Sequence, residues 1–291
     1  MTTLKKVCLI DVSGFIYRAF YGFQNITRRL EDGSIIEIGA VYGFCLSMLR
    51  LMSKFKEAMF VAALDSSRRT FRTEIYPQYK ANRKSTPPEL AAQFPIVREA
   101  CESFGLRPLT ISGFEADDII ASYVRTISEK PGYEVIVISS DKDLMQILDY
   151  DQNNSRIRLY DPMKQRFISN SDVIEKFGVP PNMVLDVMAL MGDSSDNIPG
   201  VPGIGIKTAA ALILEYGSLE NLILNLDKLP KNKKNEILRN EIEKAVMSKK
   251  LAALKDDLVV DFQYSEAPFQ DIESFLEKYT FEDLIKKIKN I

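Results

Sequence analysis

The stretch Lys5-Lys6-Val7-Cys8-Leu9-Ile10-Asp11 is a short apolar run that ends on a carboxylate. An unbroken run of that length reads as a strand buried on both faces, as in parallel sheets. Two later segments repeat the pattern. Ala58-Met59-Phe60-Val61-Ala62-Ala63-Leu64 is followed by Asp65, and Glu134-Val135-Ile136-Val137-Ile138 by Ser139-Ser140-Asp141. Residues 39–56 carry apolar side chains at helical spacing, and Glu115 to Ile127 reads as a helix with an acidic first turn. Strands alternating with helices predict an α/β domain with a mostly parallel central sheet. Ligands gather at the carboxyl ends of such strands, and three strands here each deliver an aspartate to that edge.

Composition narrows the chemistry. The chain has 291 residues, 46% apolar and 27% charged, enough for a sizeable core and one large domain or two intimate ones. No apolar run reaches the length of a membrane span. The start, Met1-Thr2-Thr3-Leu4-Lys5-Lys6, lacks a signal-peptide layout, which sets the expectation of a cytoplasmic protein. Cys8, Cys45 and Cys101 are far apart and set among apolar residues, as buried free thiols would be. Histidine is absent, which excludes a Ser–His–Asp triad, histidine-ligated zinc and histidine as general base. The net charge of −2 argues against a DNA binder only if the acids are evenly spread. Setting nine clustered acids aside leaves 31 against 38 Lys and Arg, a net +7 for the rest.

Those acids are Asp11, Asp65, Glu115-Ala116-Asp117-Asp118, Asp141-Lys142-Asp143 and Asp193-Ser194-Ser195-Asp196. Singly, each has a plain explanation as a helix cap, a dipole partner or a turn. Together at one sheet edge, they would repel strongly without cations. Mg²⁺ and Mn²⁺ prefer oxygen ligands and resolve that conflict. A large acidic site without histidine suits a two-metal phosphoryl-transfer centre.

Two further segments suggest nucleic acid. Asn197-Ile198-Pro199-Gly200-Val201-Pro202-Gly203-Ile204-Gly205-Ile206-Lys207-Thr208-Ala209 reads as a tight hairpin entering a helix near Lys207. Gly203 and Gly205 permit unusual dihedrals and close backbone approach. The amides there suit a DNA phosphate, with Lys207 and Thr208 adding charge and a hydroxyl; the alternative is an ordinary turn between packed helices. Residues 70–95 form a polar connection too long for a tight loop. In it Phe71, Tyr76 and Tyr79 interleave with Arg72, Lys80, Arg83 and Lys84. That pattern fits a solvated loop, or a clamp on single-stranded nucleic acid. Its position just after Asp65 favours the clamp, to which Tyr17 and Arg18 could add. Residues 156–168 predict a short hairpin. From Ser171 to Ile291 the pattern is mostly helical, and 231–250 predicts an exposed helix with its preceding loop.

Leu9-Ile10-Asp11 with Tyr17-Arg18-Ala19-Phe20, Phe71-Arg72 with Tyr79-Lys80-Ala81-Asn82-Arg83, Glu115-Ala116-Asp117-Asp118, Asp141-Lys142-Asp143-Leu144-Met145-Gln146, and the block from Leu190 through Gly205 closely resemble the 5′-nuclease family. The nearest likeness is to the 5′→3′ exonuclease domain of bacterial DNA polymerase I; flap endonucleases are more distant. The resemblance runs in order from about residue 5 to residue 260. It implies a PIN-like core over 1–178 with a helical arch at about 70–95, then a helix-hairpin-helix region and C-terminal helices over 179–291. It implies metal positions at Asp11, Asp65, Glu115, Asp117, Asp118, Asp141, Asp143, Asp193 and Asp196, catalytic cations at Lys80 and Arg83, and DNA contacts at Tyr17, Arg18, Phe71, Arg72, Tyr79, Gly203, Gly205, Lys207 and Thr208. It further implies two or more Mg²⁺ or Mn²⁺ ions, K⁺ at the hairpin, and substrates with 5′ flaps, nicks or RNA-primed ends. A DNA polymerase domain in cis or trans and a location at the nucleoid are implied as well. Val12, Gly14 and Ile206 depart from the family's commoner residues, and none of these removes a ligand.

Two other classes compete. A non-catalytic DNA-binding module would tolerate loss of the acids, and all nine are present. A PIN-type ribonuclease would share the carboxylates but usually lacks the Gly-Ile-Gly hairpin.

Overall fold

The computed structural model describes residues 4–29, 33–66, 69–150, 156–263 and 271–288. Expectations for 1–3, 264–270 and 289–291 therefore lie outside the described residues. Among the described residues, eight strands form two sheets: β1 Lys5–Asp11, β2 Thr27–Arg29, β3 Ile35–Glu37, β4 Ala58–Ala63, β5 Arg107–Leu109, β6 Tyr133–Ile138, β7 Ile157–Asp161 and β8 Arg166–Ile168. The main sheet runs β5-β4-β1-β6-β7-β8, and β2 pairs with β3 as a separate ribbon. Every pairing in the main sheet is parallel except β7 with β8, the hairpin expected at 156–168.

The apolar strands are covered on both faces. Val7, Leu9, Val61, Val135 and Val137 point into a core shared with the helices Ala116–Ser128 and Val184–Met191. Cys8, Ile10, Phe60, Ile136 and Ile138 point into a second core with the helices Val12–Gly22, Gly39–Lys54 and Phe94–Ser103. The C-terminal helices Ile272–Lys278 and Glu282–Ile288 return to that second face through Phe275, Leu276 and Leu284. All three cysteines are buried and free.

The connection at 70–95 folds as two short helices, Phe71–Ile75 and Pro88–Ala91, joined by turns. Beyond residue 170 the described chain is mostly helical up to Ala252; the helix expected at 231–250 runs Lys233–Ala252, but only one side of it is exposed, since Leu238, Ala245, Ser248 and Leu251 are buried. Between the helices Val184–Met191 and Ile206–Tyr216 lies the glycine-proline hairpin, closed by a bridge between Asp193 and Ile198. Two glycines make this junction possible: Gly200 has φ +57, and a Cβ there would lie 2.4 Å from Gly192 N.

Candidate active site

Strand order brings the predicted acids together. Strands β4, β1 and β6 are neighbours, so Asp65, Asp11 and Asp141 follow three adjacent strand ends. The helix Ala116–Ser128 begins at the same edge and contributes Asp117, with Glu115 as its N-cap. Hydroxyls and amides orient these groups. Ser13 Oγ donates to Asp65 Oδ2 at 2.7 Å, Ala116 N–H to Asp65 Oδ1 at 2.9 Å, and Ser139 Oγ to Asp11 Oδ2 at 3.0 Å. The Asp143 amide donates to Asp141 Oδ1 at 2.9 Å. Ser13 and Ser139 are not singled out by the sequence pattern; their positions, two residues after Asp11 and directly after β6, are the available signal.

Burial and mutual repulsion set the ionisation of this group. Burial, then the neighbouring Asp65, raises Asp11 to about 6, against the pull of Ser139. Burial and Asp141 push Asp143 up to about 7. Asp117 is raised well above its ordinary value by burial, with Asp141 and Asp11 adding to it. Asp143 Oδ1 is moreover buried without a hydrogen-bond partner. Such a set is under-neutralised, and hard cations are the chemistry that relieves it. Among the described residues no three acids or thiols converge closely enough to enclose an ion; the acids stand as neighbours along the strand ends, an acidic basin in charge.

The connection at 70–95 closes one wall. Lys80 Nζ lies 2.8 Å from Glu115 Oε1 and 3.6 Å from Asp196 Oδ2, and Arg83 pairs with Asp196 Oδ1. Lys80 itself sits at φ +56, in the left-handed region, and its amide donates to the Asp196 carbonyl at 2.9 Å. Asn82 Nδ2 donates to Ser194 O, and Asn197 Nδ2 to Gln78 O, each at 2.7 Å. This docking of the turn onto the 193–197 loop was not foreseen. From the Asp141–Asp143 stretch, Lys142 Nζ reaches Asp193 Oδ2 at 2.8 Å. Burial works to raise Asp193, yet Lys142 and the Ser195 amide hold it below its ordinary range.

Three expected roles need correction. Arg72 is 2% exposed and cannot meet DNA. Its Nη1 and Nη2 grip Asp118 Oδ2 and Oδ1 at 2.7 Å each, while Nε donates to Leu251 O and Nη2 to Ala253 O. Asp118 is fully buried, and it also accepts from Lys255 N and Glu115 N; enclosed around the buried Arg72 guanidinium, it serves as that residue's partner inside the fold and does not face the other acids as a ligand would. Tyr79 is buried too, its hydroxyl 3.0 Å from Glu115 Oε2 and 3.2 Å from Asp196 Oδ2, so stacking on a base is closed to it. The cause is common to all three: their partners are distant in sequence.

The remaining predicted contacts are accessible to different degrees. Tyr17 and Arg18 are exposed on the first helix, Tyr17 bonded to Thr86 Oγ1 at 2.8 Å and Arg18 to Ser140 Oγ at 3.1 Å. Phe71 is half-buried against Phe114. Gly203, Gly205 and Lys207 are exposed at the hairpin, and Thr208 accepts from Lys234 Nζ at 2.6 Å.

Residues 6–178 match the family described as 5′-3′ exonuclease, N-terminal resolvase-like domain, and residues 179–274 the 5′-3′ exonuclease, C-terminal SAM fold. A 5′-3′ exonuclease of Buchnera aphidicola is 36% identical over 98% of this chain and 96% of its own. The DNA polymerase I of Rhizobium leguminosarum is 42% identical over 87% of this chain, and that of Bacillus caldotenax 34% identical over 98%. This chain spans only 25% and 32% of those two relatives' own lengths. In fold it is similar to the phage T5 5′-exonuclease with zinc bound (TM-score 0.70, 22% identity, 98% of each chain). A likeness of the same kind extends to flap endonuclease-1 of Methanococcus jannaschii (TM-score 0.57, 17% identity, 99% of this chain and 91% of that one).

Proposed function

This chain belongs to the 5′-3′ exonuclease family, and from that premise we propose that it is a metal-dependent, structure-selective 5′ nuclease that hydrolyses DNA phosphodiesters at 5′ flaps, nicks and RNA-primed ends. The observation that carries the reading is the under-neutralised basin at the ends of β4, β1 and β6, where Asp11, Asp117 and Asp143 are all raised by burial and by neighbouring carboxylates, Asp141 among them in each case. Asp11, Asp65, Glu115, Asp117, Asp141, Asp143, Asp193 and Asp196 would hold two or more divalent ions, Mg²⁺ or Mn²⁺ by the oxygen-only donor set. When bound, these ions supply an activated water and neutralise phosphate charge.

The chain's own groups do the rest. Lys80 and Arg83, at the basin wall, meet the scissile phosphate and offset its developing charge. Arg18 and Tyr17 line the approach. Gly203, Gly205, Lys207 and Thr208 present the start of the helix Ile206–Tyr216 to the duplex backbone, a contact that reads no base sequence; K⁺ at this hairpin completes the reading. The chain divides functionally into a catalytic unit over 1–178 and a DNA-binding unit over 179–291, working with a DNA polymerase domain in cis or trans, in the cytoplasm at the nucleoid. Among the described residues no helix is long and apolar enough to cross a membrane.

The test is a 5′-labelled single-flap DNA incubated with Mg²⁺ or with EDTA, alongside Asp141→Ala. Cleavage near the junction that needs Mg²⁺ and disappears in the variant is the expected outcome. Flap binding without cleavage in either Mg²⁺ or Mn²⁺ would leave a DNA-binding module in its place.

A further inference from the structure

Lys142 is the one cation inside the Asp-Lys-Asp stretch, flanked by Asp141 and Asp143, and its side chain turns to neither neighbour. It crosses instead to the loop before the glycine-proline hairpin and ends 2.8 Å from Asp193 Oδ2. The Asp193 side chain is only 4% exposed, that of Lys142 26%. The loop pins its aspartate firmly. Asp193 and Ile198 exchange two backbone hydrogen bonds at 2.9 and 2.8 Å, and Asp193 Oδ1 accepts the Ser195 amide at 2.9 Å. One oxygen is therefore spent on the loop, and the other is offered into the basin, where Lys142 takes it.

We propose that Lys142 is a resident counterion that holds Asp193 in place before metal loading and competes with divalent cations for its outward oxygen. The inference rests on the preceding reading that the basin takes such ions. A buried carboxylate left without a partner is strongly unfavourable, so the basin needs this lysine when no ion is present. A divalent ion that draws on Asp193 must displace it. Lysine suits such an exchange: its ammonium is a point charge on a flexible four-carbon stem, and its part-exposed position lets it swing into water. Lys142 thereby sets the ion concentration at which the Asp193 side of the basin fills. It also keeps that side ordered while empty.

The test uses the full chain, Mn²⁺ as probe and binding as readout, with no turnover required. Free Mn²⁺ is measured by electron paramagnetic resonance for wild type, Lys142→Met and Lys176→Met. Lys176 senses Asp141 and Asp143 through space but is exposed, so its variant removes an equal charge without removing a contact to Asp193. Lys142→Met is expected to tighten the weaker Mn²⁺ site about three- to tenfold, and Lys176→Met less than about twofold, as Coulomb energies at protein surfaces dictate. The metal-free Lys142→Met protein should also melt below wild type, with the gap narrowing in saturating Mn²⁺. Equal tightening in both variants would reduce the effect to the general field and overturn the proposal. Unchanged or weakened Mn²⁺ binding in Lys142→Met overturns it as well. If wild type binds no Mn²⁺ at all, the metal reading fails and this inference with it; if wild type binds and the variants match it, only this inference fails.

Discussion

At the scale of single residues, the decisive quantity is how many charges the basin can carry without an added cation. Asp143 stands at about 7, raised first by burial and then by Asp141, and its Oδ1 has no hydrogen-bond partner. An unfolded aspartate titrates near ~4. Between about pH 4 and pH 7 the unfolded chain therefore gives up this proton before the folded chain does, and metal-free stability falls as pH rises through that window. Asp143→Asn removes the titration. The metal-free variant should exceed wild type by up to about 4 kcal/mol at pH 8, with the difference closing only as the pH falls to about 4, in urea melts. The same variant should lose most of the rise in melting temperature that Mn²⁺ gives wild type. An acid that stabilises the metal-free protein would give the opposite sign at pH 8.

At the scale of elements, the sheet was legible because parallel strands are covered on both faces and so read as continuous apolar runs. Strands β1, β4 and β6 start and stop within a residue of expectation, and their aspartates could be lined up from the sequence alone. The connection at 70–95 was legible only as a basic, aromatic segment. Nothing local distinguishes an exposed arginine from Arg72, whose partners lie at Asp118, Leu251 and Ala253. Burial of this kind is written in tertiary contacts, as is the docking of Asn82 onto Ser194. Arg72 ties together three elements: the helix Phe71–Ile75, the start of the helix Ala116–Ser128, and the end of the helix Lys233–Ala252. Arg72→Ala would leave Asp118 charged and fully buried, at a cost of about 3–5 kcal/mol. Arg72→Met with Asp118→Leu, an apolar pair of similar volume, should recover most of that loss in chemical denaturation. Because Asp118 also accepts the Glu115 amide, the double variant should still bind metal less well. Full metal affinity there would mean the pair only holds the fold.

At the scale of the whole molecule, the two family segments, 6–178 and 179–274, are joined by more than a peptide link. Arg72 and Gln146 reach the carbonyls that end the helix Lys233–Ala252, while Lys255 N and Leu258 N return to Asp118 and Ser122. From Asp271 the described chain lies on the other face of the sheet. There Phe275, Leu276 and Leu284 enter the core formed by the helices Gly39–Lys54 and Phe94–Ser103, with Tyr42 bonded to Asp283 and Lys278 to Glu99. Two segments built this way cannot open independently without exposing core on both sides of the sheet. Unfolding should accordingly be a single cooperative transition, with calorimetric and van't Hoff enthalpies agreeing. Truncation after Gln263 strips the second core of those side chains and should lower the melting temperature by roughly 5–10 °C. It does so without touching any acid of the basin, so Mn²⁺ should still bind the truncated protein when it is held well below its melting point. Two resolved transitions in the full chain would instead make the 1–178 unit a fold in its own right, and the truncation would then leave its melting point where it was.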